Sequence, residues 1–140
     1  MTIRESICLV LGVLAASTVA GCGTGRLPVY PVTGQVLVKG EPADGAFVVF
    51  HPVEPTGPDA QRPYATVGPD GTFRLTTYEL SDGAPAGRYR VTIVWRPKAA
   101  SALAPEGKDR LDGRYANAES AKLEVTLGKQ ATTLEPFRLD

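Results

Sequence analysis

Few side chains in this chain could do chemistry. The thiols are Cys8 and Cys22, and the one imidazole is His51. One His and two Cys cannot supply the usual His/Cys zinc site, and a single His excludes chemistry that needs two. Asp109 and Asp112 lie close together, with Asp82 in another loop. A calcium site needs about six to eight oxygens, several of them charged. Lys108, Arg110 and Arg114 stand beside the aspartate pair and oppose a cation, so the carboxylates read as solvated loop charges. No metal and no cofactor is expected. Tyr64 and Tyr78, with Arg62, would form a loop-end patch for a peptide or glycan if the fold gathers them. Tyr115 lies in a long loop that is itself a candidate partner-binding surface. Cys22 is different, because its neighbours point to a reaction. A thiolate is a nucleophile, and here it follows small residues at the end of an apolar run.

That run covers residues 6–20, SICLVLGVLAASTVA. It is shorter than the roughly 20 residues a membrane-spanning helix needs. A short head with Arg4 precedes it and small residues follow, as in a secretory signal. Val19-Ala20-Gly21-Cys22 resembles the lipobox of bacterial lipoproteins. The resemblance implies that Cys22 receives a diacylglyceryl group, that cleavage follows Gly21, and that the new amine is acylated. Several acyl chains give stable anchoring where one is marginal. Removing 21 residues from 140 leaves 119. Cys8 would leave with the signal and Cys22 would carry lipid, so no disulfide is expected despite an oxidising compartment. The expected divisions are a signal helix over 1–21, a lipidated N-terminus and flexible tether over 22–31, and a domain over 32–140. Gly23, where Asp would favour inner-membrane retention, leans toward the outer membrane.

Charge and composition bound the partners. There are 15 basic and 15 acidic side chains, a net charge of zero. That leaves no electrostatic footprint for nucleic acid. The 15 Gly and 12 Pro exceed average usage, which is about 12% for the two together. Most of them punctuate alternating segments. Strands are expected over 32–38, 46–53, 64–67, 72–76, 88–96, 122–127 and 132–139. Residues 39–45, 68–71 and 128–130 read as turns, with Pro and Gly where turns need them. Residues 88–96 alternate most clearly, with Tyr89, Val91, Ile93 and Trp95 on one face and Arg88, Arg90, Thr92, Val94 and Arg96 on the other. Pro136 confines the last strand to an edge or a bulge. Short strands with regular turns and no helical period predict an all-β, antiparallel sandwich. Residues 97–120 form a loop of about 24 residues, long enough to be functional. They would serve either as a partner surface or as a strap over an open sheet edge.

Val32-Thr33-Gly34-Gln35-Val36, then Gly40-Glu41-Pro42, then Gly45-Ala46-Phe47-Val48-Val49-Phe50 resemble the opening of carboxypeptidase regulatory-like domains. Asp70-Gly71-Thr72-Phe73 resembles their D-G-x-F turn, and Pro85-Ala86-Gly87-Arg88-Tyr89-Arg90-Val91-Thr92-Ile93 resembles their P-x-G-x-Y-x-V-x-V strand. The resemblance implies a transthyretin-like (prealbumin-like), seven-stranded Greek-key β-sandwich with no catalytic residues to transfer. Related hydroxyisourate hydrolases use more than one His and a Tyr-Arg-Gly-Ser tail, whereas this chain ends Phe137-Arg138-Leu139-Asp140. An internal isopeptide bond, as in pilin-like sandwiches, would draw on Lys39 and Asn117. Asn117 lies in a loop, so the signal for one is weak. The expected role is that of a membrane-anchored, non-enzymatic envelope module with an envelope-protein partner. The alternative is a carbohydrate- or peptide-binding module using the loop-end aromatics.

Overall fold

The computed structural model describes residues 25–54, 57 and 60–140. Nine short strands follow in order: β1 Val32–Val38, β2 Glu41–Pro42, β3 Phe47–Pro52, β4 Tyr64–Thr66, β5 Thr72–Arg74, β6 Gly87–Val94, β7 Leu123–Leu127, β8 Thr132–Thr133 and β9 Phe137–Leu139. None of the described residues is helical. The fold is all-β, with two sheets facing each other across a shared core.

One sheet is built around β1. On one edge β1 meets β5, with Gly34 opposite Phe73, and β2, with Leu37 opposite Pro42, both antiparallel. On its other edge it meets β8 and β9, both parallel, with Val32 opposite Thr132 and Leu37 opposite Arg138. The second sheet is antiparallel throughout, in the order β4-β3-β6-β7. Two details depart from the seven expected strands. The turn after β1 pairs back on it as β2, and the last segment divides into β8 and β9. Pro136 has no N–H to give a ladder, and it falls in that break, in a segment that pairs with β1 on one side.

Between the sheets the period-2 pattern works as expected. Tyr89, Val91 and Ile93 are buried while Arg88 and Arg90 are exposed. Phe50 sits at the centre, its ring 6.5 Å from Phe73 and 5.8 Å from Tyr89. Burying such a side chain is worth about 1.5–3 kcal/mol. Gly34 makes room for Phe73: a Cβ there would lie 2.4 Å from the ring. The Tyr89 hydroxyl donates to the Pro85 carbonyl at 2.7 Å, so the ring is buried without an orphaned polar atom. Burial, and then Tyr78, push the Tyr89 phenol up to about 12.

The hairpin from β4 to β5 carries the chain from one sheet to the other. Tyr64 and Thr76 exchange two backbone hydrogen bonds across it, of 3.0 and 2.9 Å. Its turn is held by Asp70 Oδ1, which accepts from the Thr72 amide and hydroxyl, and by Gly71 at φ 83°.

Candidate functional site

The outer face of the second sheet carries most of the polar chemistry. His51 on β3 stands opposite Arg90 on β6, and Thr92 is opposite Val49. His51 Nε2 lies 2.9 Å from Thr92 Oγ1. Thr92 is buried although it points away from the core, so this bond satisfies a covered hydroxyl. Burial, and then the Arg62 guanidinium, lower the His51 pKa and so favour the neutral ring. His51, Arg62, Arg90 and Glu119 line an open cleft of about 510 Å³. Arg62 and Arg90 thus share one cleft with His51, and Arg presents forked donors of the kind that match carboxylate and phosphate. Nothing in the residue pattern picked out Thr92, and only the β3–β6 register places it under His51.

Each aromatic candidate has its own contacts. Tyr64 packs against Phe47 with ring centroids 5.9 Å apart, and both rings are exposed, at 46% and 44%. The Tyr78 hydroxyl accepts from the Leu27 amide at 3.0 Å, and Arg26 lies 5.1 Å above its ring. Arg62 belongs to the His51 cleft. Tyr115 packs partly on the core, between Arg114 and Lys122, and its carbonyl accepts from the Ile93 amide at 2.9 Å.

Loop 97–120 is tied down along the edge of β6. β7 pairs with β6 only as far as Val91. Beyond it, Ile93 donates to Tyr115, and the Arg110 amide donates to the Trp95 carbonyl at 2.7 Å. Asp109 accepts from the amides of Trp95, Leu111 and Gly113 at 2.9–3.0 Å, and Leu111 is buried at 1% exposure. The loop thus covers backbone that would otherwise be an open edge. Trp95 donates from its indole to Asp44 and carries Arg110 4.7 Å above its ring.

The remaining candidates have separate surroundings. Asp82 accepts from the amides of Thr77, Tyr78 and Glu79. Asp112 pairs with Lys108 at 3.0 Å. Among the described residues no three His, Cys, Asp or Glu are grouped for a metal. Asn117 accepts from the Glu119 amide, while Lys39 lies in the turn after β1 at φ 52°.

Residues 25–31, the described part of the tether expected over 22–31, are docked at their C-terminal end. Tyr30 and Ala84 exchange two backbone hydrogen bonds of 3.0 Å. Gly83 lies so close beneath them that a Cβ there would sit 1.8 Å from the Tyr30 carbonyl oxygen. Cys22 and Gly21, with the rest of residues 1–24, lie outside the described residues. Among the described residues no helix is long and apolar enough to cross a membrane.

No family model matches the chain, and no curated protein matches it. Among solved structures it is similar to the crystal structure of a 9R-lipoxygenase from Cyanothece PCC8801, with a TM-score of 0.43 and 11% identity. The likeness covers 80% of this chain and 16% of that one, and it carries no argument about activity.

Proposed function

We propose that the chain is a lipid-anchored module of the cell envelope, held by Cys22 after cleavage at Gly21. Its role is structural or protein-binding and non-catalytic, and Gly23 leans its placement toward the outer membrane. The observation that carries this reading is Val19-Ala20-Gly21-Cys22 at the end of the apolar run. The finer fold proposed is the seven-stranded Greek-key sandwich of transthyretin-like, carboxypeptidase regulatory-like domains. The two facing sheets and the Gly34–Phe73 pairing support it. Metabolic labelling with a clickable fatty acid tests the anchor. The wild type is expected to label and Cys22→Ser is not, and a labelled Cys22→Ser protein refutes the assignment.

A second reading has its own observation. Tyr64 and Phe47 form an exposed aromatic pair on the outer face near β4. Such faces suit the apolar side of a sugar ring or a peptide side chain, and aromatic anchors often dominate binding energy. A glycan array separates the readings: binding lost in Tyr64→Ala favours this one. Crosslinks to an envelope protein mapping to 97–120, with no glycan signal, favour the first.

A further inference from the structure

We infer that the cleft formed by His51, Arg62 and Arg90 seats the phosphate of a phospholipid headgroup in the membrane that holds Cys22. The inference rests on the anchoring proposed above. It begins with position. Gly25 and Leu27 line a smaller cavity of about 170 Å³ with Tyr78, Pro85 and Tyr89. Pro52 and Ala60 line both that cavity and the His51 cleft, so the two adjoin. Cys22 is three residues before Gly25, and three residues span at most about 11 Å. The Tyr30–Ala84 pairing and the Leu27–Tyr78 bond hold the departing chain against this end. A lipid on Cys22 therefore presents this end of the sandwich to the headgroups. Leu27 and Leu80, 50% and 90% exposed, lie on the tether and on the loop that holds it, where apolar side chains meet lipid rather than water.

The chemistry of the cleft completes the case. Arg88 is paired with Glu124 at 2.6 Å, and Arg96 is paired with Glu106. Arg62 and Arg90 have no such partner among the described residues. Arg90 has His51 and Glu124 as its cross-strand neighbours, and Glu124 is engaged by Arg88. Among the described residues of the lining, Glu119 is the acidic group, so Arg62 and Arg90 leave a net charge of plus one there. This end also carries Glu54, Glu79 and Asp82, so it is no broad basic patch. Two forked donors can still grip one phosphate monoanion bidentately. Anchoring raises the effective headgroup concentration to the millimolar range or above, so a weak seat is filled without tight intrinsic binding.

The test uses the full-length lipidated protein in vesicles containing a phosphatidylglycerol with a headgroup photocrosslinker. Matched vesicles carry the same group on diacylglycerol. Adducts are expected on the segments bearing Arg62 and Arg90 with the phospholipid only. They should fall about tenfold in Arg62→Ala/Arg90→Ala, the loss of a charge-assisted hydrogen bond. Arg138→Ala, on the other sheet, should leave them unchanged. Circular dichroism checks that the double variant keeps its strands. Lipidated protein without cleft adducts, or adducts that persist in the double variant, overturn the headgroup seat. Excess inorganic phosphate is expected to compete for the seat, and adducts of equal yield on the phospholipid and diacylglycerol vesicles overturn the phosphate contact. The mass of the Cys22 peptide is read separately. Cleft adducts on protein with no lipid at Cys22 support the seat and overturn the anchor.

Discussion

Loops 77–87 and 97–120 are built on the same device and do different work. Each holds one aspartate that accepts three backbone amides: Asp82 from Thr77, Tyr78 and Glu79, and Asp109 from Trp95, Leu111 and Gly113. The first loop uses that rigidity to grip the incoming chain, through Tyr30, Leu27 and Arg26. The second uses it to close the end of β6, and drives Leu111 into the core. A carboxylate makes a loop stiff, but what the loop then serves depends on the neighbour it meets. Loop 97–120 also leaves Leu103 96% exposed, so burial within it is local to the residues that follow Asp109.

Removing the buried plug should cost most. Leu111→Ala is expected to lower stability by about 3 kcal/mol, read by urea denaturation. A loss under about 1 kcal/mol would show that the strap packs on the sandwich without belonging to its core. At the other loop, Gly83→Ala places a Cβ against the Tyr30 backbone at φ +107°. It is expected to cost about 2 kcal/mol and to release residues 25–31 to limited proteolysis. Protection equal to wild type would mean that the tether is not held there.

The aspartates themselves test the shared device. Asp82→Ala and Asp109→Ala should each cost about 1–2 kcal/mol, through amides left without acceptors. Burial raises both carboxyl pKa values, but the backbone amides outweigh it and hold each below the ordinary carboxylate range. A depressed folded pKa gives stability that is present above the unfolded value, near 4, and lost as pH falls through the folded one. Urea midpoints between pH 6 and pH 2 should therefore fall less steeply in each variant than in wild type. An unchanged slope in either would remove that aspartate from the comparison. The smallest effects belong to the stacked cations. Arg26→Ala and Arg110→Ala should each cost about 0.5 kcal/mol, by thermal melts. Only Arg26→Ala should loosen residues 25–31.

Much of the sheet was legible along the chain. β6 alternates clearly and β1 loosely, and the residues the alternation turns inward, such as Val32, Val36, Tyr89, Val91 and Ile93, are buried, while Thr92 on the outer face is buried as well. β2 was hidden, because two residues of a turn carry no period of their own and become a strand only by meeting Leu37 and Val38. The parallel contacts of β8 and β9 were also out of reach, since direction is set by which sheet the chain re-enters after β7. At the candidate site, Arg62 and His51 could be named one at a time. Their convergence with Arg90, and the bond from His51 to Thr92, could not. Tyr64, Tyr78 and Arg62 could be named by residue type, but their contacts with Phe47, Leu27 and His51 could not.

By itself the sequence determined the local terms: which segments extend, where they turn, which face of each strand is apolar, and that Cys22 stands in a lipobox-like setting. These depend on residues a few positions apart, where steric and hydrophobic periods act directly. Only the tertiary structure decided the rest. It docked residues 25–31 on Ala84, laid the strap along β6, split the final strand, and brought Arg62, Arg90 and His51 to one cleft. Those outcomes depend on contacts between residues far apart in the chain, such as Tyr30 with Ala84 and His51 with Thr92, and such contacts leave no period to read.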